Sequence, residues 1–130
     1  MANVTTVQTI QDGERNLIIA IAGVLDTSNV AKTQLVDVSA LVPATARLKL
    51  KEAKWSAQQG LSINLYWDAT TDVPFLCMSG SDHQCYAAEG HIPNNAGTGV
   101  TGDVDYETSG WASGILTYSA VLWFIKGTPL

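Results

Sequence analysis

The chain has 130 residues, of which 46% are hydrophobic and only 15% charged, with a net charge of -5. That length suits one domain with a real core, and a charged share below the roughly 25% usual for globular domains leads us to expect a surface partly covered by partners. The distribution of charge argues against a nucleic-acid partner: Lys126 alone faces Asp68, Asp72, Asp82, Glu89, Asp103, Asp105 and Glu107 in residues 55–130, whereas phosphate recognition calls for a basic stripe or patch.

The chain begins Met1-Ala2-Asn3-Val4-Thr5-Thr6, without a basic segment followed by an apolar one, so no signal peptide is expected. Val4–Gln11 is β-branched and Thr-rich, and Asp12-Gly13 after it is a strong hairpin dipeptide. Residues 1–11 are therefore read as an edge strand or extended N-terminal arm. Asn16–Leu25 is a continuous apolar run, as expected of a strand covered on both faces. It is too short to cross a bilayer as a helix, so a soluble product with no membrane partner is expected. Asp26-Thr27-Ser28-Asn29 forms a loop, with one helical turn after it, and Thr33–Val38 is a short strand.

Ala46, Leu48 and Leu50 then alternate with Arg47, Lys49 and Lys51, giving one buried and one basic, wet face. Beyond Lys51-Glu52 the apolar set moves to Ala53, Trp55 and Ala57, the phase slip that a β-bulge produces. Gln59-Gly60 turns the chain, and Leu61, Ile63, Leu65 and Trp67 face inward while Ser62, Asn64 and Tyr66 face out. Val73–Met78 is a short strand with Pro74 near its start. Residues 79–101 read as loop, interrupted by a brief strand near Gln84–Ala88. Asp103–Thr108 alternates again, Ser109-Gly110 turns, and Ile115–Ile125 closes the chain as a long strand apolar on both faces. About eight strands with little or no helix predict an all-β antiparallel β-sandwich, jelly-roll-like, in one domain over residues 1–130.

Each cluster that could carry chemistry has a plainer structural reading. Gly97-Thr98-Gly99-Val100-Thr101-Gly102 spells a dinucleotide-loop string, but no strand precedes it and no helix follows, so it reads as a glycine loop. Cys77, His83, Cys85 and His91 lack the spacing of a familiar zinc module. The two cysteines read as free thiols, with a disulfide across a hairpin as the alternative. Asp68 and Asp72 could hold calcium with backbone oxygens, but no third acid is close in sequence. Asp103, Asp105 and Glu107 read as a solvated strand face. Ser79-Gly80-Ser81-Asp82-His83 contains the residue types of a triad, which folds assemble from distant positions rather than from neighbours. No catalytic residue, cofactor or metal site is expected. Of the four tryptophans, Trp55, Trp67 and Trp123 read as core filling. Trp111 lies in a turn among small residues and is a candidate interface anchor.

Three stretches carry a family resemblance. They are Leu65-Tyr66-Trp67-Asp68-Ala69-Thr70-Thr71-Asp72-Val73-Pro74, Asn94-Asn95-Ala96-Gly97-Thr98-Gly99-Val100-Thr101-Gly102-Asp103, and Thr108-Ser109-Gly110-Trp111 with the strand ending at Lys126. With the opening Val4–Gly13, they resemble tailed-bacteriophage virion structural proteins of the capsid decoration, or cement, type. The resemblance covers most of the chain, with a less distinctive stretch at 26–45. It implies a non-enzymatic β protein on the capsid exterior, assembled in the host cytoplasm. Its implied partners are the major capsid protein and copies of itself, commonly as a homotrimer. On that reading Val4–Gln11, with Val4 and Val7, is an extended segment able to pair with a partner's sheet edge. Rival readings are a tail or fibre component, a carbohydrate-binding β-sandwich that stacks sugars on tryptophan, and a small hydrolase using the acids and histidines of residues 68–91.

Overall fold

The computed structural model describes residues 3–41, 47–86 and 91–126. Ala46, Ala87 and Ala88, placed in strands by the sequence pattern, lie outside them. Among the described residues the protein is all-β: β1 (Val4–Asp12), β2 (Asn16–Leu25), β3 (Thr33–Val36), β4 (Leu48–Ala57), β5 (Ser62–Trp67), β6 (Val73–Ser79), β7 (Ser81–Cys85), β8 (Ile92–Pro93), β9 (Val104–Ser109) and β10 (Leu116–Lys126). The helical turn expected after Asn29 is instead a 3-10 turn at Val38–Ala40, because Asp37 caps it through the Ser39 N–H at 3.1 Å.

The strands form two antiparallel sheets. The larger runs β1-β2-β10-β4-β7, with β8 also paired to β4, and the smaller runs β3-β9-β5-β6. Four nested pairs generate this order: β2 with β10, β3 with β9, β4 with β7, and β5 with β6. That nesting is a jelly roll, a long hairpin rolled so that its halves fall into two facing sheets. Eight strands make the roll; β1 is added at the β2 edge and β8 is a two-residue bridge.

Side-chain alternation builds the core between the sheets. Leu17, Ile19, Ile21 and Leu25 of β2, Leu48, Leu50, Ala53 and Trp55 of β4, and Ala120, Leu122 and Phe124 of β10 meet Ile63, Leu65 and Trp67 of β5, Val104 and Tyr106 of β9, and Met78 of β6. Trp67 stacks on Phe75 at 3.8 Å, and Trp55 donates its indole N–H across the sandwich to the Ser79 carbonyl at 2.9 Å. The phase slip in β4 is a bulge: Trp123 faces Glu52 and Phe124 faces Leu50, leaving Lys51 as the extra residue.

Two expectations change. β2 and β10 are apolar on both faces, yet only one face of each meets the other sheet. Ala22 and Val121 on the outward side are exposed, because the roll has two layers and nothing among the described residues forms a third. The strand placed near Gln84–Ala88 begins earlier, at Ser81, where Ser81–Cys85 aligns with Ser56–Glu52 of β4. Polar residues suffice there because all five are exposed at the sheet edge.

Two glycines are dictated by packing. Gly23 lies under the Tyr118 ring, which a Cβ would strike. Gly110, at φ +94, has no room for a Cβ against the Gly60 carbonyl.

Candidate functional site

The smaller sheet carries the densest group of titratable side chains. Pairing of β5 with β9 sets Tyr66 opposite Asp105, and Asp68 follows as its N–H reaches the Asp103 carbonyl at 3.0 Å. Asp72 turns back to accept the Ala69 N–H at 3.0 Å. The result brings Asp68, Asp72 and Asp105 oxygens within 4.8 Å of one another. Sequence proximity suggested the Asp68–Asp72 pair; the third acid, Asp105, comes from a distant strand and read as a solvated face.

Within the group the carboxylates repel one another, and Lys32 pairs with Asp72. Burial, then the charges of Asp68 and Asp72, push the Asp105 carboxyl up to about 6. The Ala69 N–H and the Lys32 ammonium, 3.0 Å away, hold Asp72 below the usual range. Lys32 also lies 4.0 Å over the Tyr66 ring. Tyr66 donates to Glu107, and this bond, followed by burial, raises the phenol to about 12. Asp103 does structural work, accepting Gln34 at 2.9 Å and the Val38 N–H at 3.0 Å. Three carboxylates could in principle hold a hard cation. Here the Lys32 ammonium already pairs with Asp72.

The other clusters separate. Cys77 sits on β6 of the smaller sheet, while His83 and Cys85 sit on β7 of the larger. Both thiols are free and exposed. His83 pairs with Glu52, Asp82 accepts its neighbour's N–H at 2.7 Å, and Ser81 bonds Ser56 at 3.0 Å, so no serine–histidine relay forms. The segment Gly97–Gly102 is a loop whose Thr98 carbonyl accepts the Thr70 N–H at 3.1 Å.

The remaining candidates are surface features. Trp111 is half-buried against the core; its backbone N–H bonds Asn29 at 3.0 Å and its indole N–H bonds the Gly114 carbonyl at 3.0 Å. Val4 and Val7 both stand on β1, pointing to opposite faces, and are 53% and 44% exposed. Ile10 on the same strand is 55% exposed. Among the described residues the only other exposed large hydrophobics are Ile115 and Val121. β1 thus concentrates the open apolar surface, at the end of its sheet, with β2 on one side and, among the described residues, no strand on the other.

No protein-family model, curated protein or solved structure matches this chain. Its function must be argued from its own surface.

Proposed function

We propose that the protein is a non-enzymatic virion structural protein of the capsid decoration type, which binds the outer shell of a phage particle and reinforces contacts between major capsid subunits. The observation that carries this reading is β1, an edge free of charge from Val4 to Gln11 and carrying three exposed large hydrophobics. An open edge of that kind is a liability in a free monomer and an asset in an assembly. Binding only the assembled shell stabilises that shell by mass action. The jelly roll itself serves viral shells, lectins and cupins alike, so the fold does not distinguish these roles and the open edge does.

The sugar-binding reading has little to stand on. Trp55 and Trp67 are buried, Trp111 is half-buried, and the Lys51 ammonium lies 5.5 Å over the partly buried Trp123 ring. A stacking platform needs an open indole face.

The test is quantitative mass spectrometry of purified particles. Hundreds of copies, in a simple ratio to the major capsid protein, are the expected result. A handful of copies would move the protein to the tail or fibre, and its absence from particles would end the virion reading.

A further inference from the structure

The two sheets have four edges, and three are guarded. β3 has four residues, a register shift and the charges of Lys32 and Asp37 beside it. β6 carries Pro74 and a bulge opposite Leu65–Tyr66. β7 has five residues that include Asp82 and His83. Shortness, proline, bulges and charge are the ordinary devices that stop edge-to-edge pairing. β1 lacks nearly all of them. It has nine residues, no charge from Val4 to Gln11, and continuous register from Val4 to Thr9 before its bulge at Ile10.

We propose that β1 is a homodimerisation edge: two copies pair β1 with β1 antiparallel across a two-fold axis centred on Val7, joining their larger sheets into one. This rests on the reading of β1 as an assembly edge and names its occupant. A two-fold perpendicular to a sheet must set some residue opposite its own copy. A charge near the axis would then face itself, and β1 carries none from Val4 to Gln11. Centring on Val7 sets Val7 against Val7, Thr5 against Thr9, and Thr6 against Gln8, pairs of β-branched and hydrogen-bonding side chains suited to cross-strand contact. Val7 lies on the core-facing side, opposite the buried Ile21, yet remains 44% exposed. The two-fold would lay one Val7 on the other and complete that layer. The pairing gives a dimer, in place of the trimer that the family resemblance implies.

Sedimentation analysis of the purified protein at micromolar concentration should show a dimer. Val7→Lys puts like charges face to face, which costs several kcal/mol, so the dimer dissociation constant should rise at least ~100-fold. Unchanged circular dichroism would show that this variant still folds. As a second variant, Val7→Cys in a Cys77→Ser, Cys85→Ser background should cross-link to itself under mild oxidation, while Val4→Cys should not. A wild-type monomer or trimer, a dimeric Val7→Lys, or a Val7→Cys that stays unlinked would each overturn the proposal. A monomer present at full copy number on particles would sink self-pairing alone, whereas a dimer absent from particles would sink the virion reading alone.

Discussion

Asp105 illustrates how a single side chain takes its properties from neighbours far away in sequence. Its carboxyl is raised from 3.8 to about 6, chiefly by burial and then by Asp68 and Asp72. Between those values the folded chain keeps a proton that the unfolded chain has released, so stability falls as pH rises through that window. Asp105→Asn removes the penalty and keeps a donor toward Asp68. Thermal melts should show the variant more stable than wild type at pH 7, with the gap closing near pH 4. A parallel pH dependence in both proteins would rule out Asp105 as its source. Trp111 poses the opposite question, whether a turn tryptophan serves a partner or its own loop. Its two hydrogen bonds tie the β9–β10 connection to Asn29 and Gly114. Trp111→Ala should therefore cost about 2 kcal/mol, less than the 3–5 typical of a fully buried tryptophan. Denaturant unfolding reads that loss directly; intact stability with weakened assembly would instead make Trp111 an interface anchor.

At the scale of elements, β1 depends on a contact that crosses β2. Tyr118 of β10 passes over Gly23 and its hydroxyl meets the Thr5 hydroxyl at 3.0 Å. Lys126, buried at the end of β10, reaches Asp12 at 2.6 Å at the other end of β1. The edge strand is thus fastened at both ends to the central strand of its own sheet. Gly23→Ala places a methyl group against the Tyr118 ring, which must swing aside, at an expected cost of about 2 kcal/mol. Hydrogen exchange should then accelerate in β1 before the rest of the sheet. Uniform protection would mean that β1 is held by its backbone pairing with β2 alone.

For the whole molecule, the two outer faces differ in charge. Lys49, Lys51 and Lys54 project from the larger sheet, and Asp105 and Glu107 from the smaller. The larger sheet also has a shallow groove of about 390 Å³ beside β1, lined in part by Val4, Ala22, Val24 and Ser119. Edge, groove and lysines therefore occupy the same layer, and that layer is the side expected to assemble. Deleting residues 1–11 should abolish occupancy on isolated heads, since a dimer binds the shell at two points and a monomer at one. Val7→Lys, which leaves the strand in place, should lower occupancy in the same direction. Full occupancy by both variants would exclude β1 from assembly.

Local chemistry was enough to determine much of this protein. Period-two alternation marked β4, β5 and β9 and the direction of their side chains, Asp12-Gly13 marked the first hairpin, and the slip at Lys51 marked a bulge later seen in register. These are short-range consequences of pleating and of turn chemistry, which a sequence carries openly. Tertiary structure alone decided that β2 and β10 cover one face and leave the other open, that Asp105 joins Asp68 and Asp72, and that Val7, on the core-facing side of β1 opposite Ile21, stays exposed. Each depends on which strands become neighbours. A jelly roll pairs strands up to a whole chain apart, so those choices come from closing the core and not from any local run of residues.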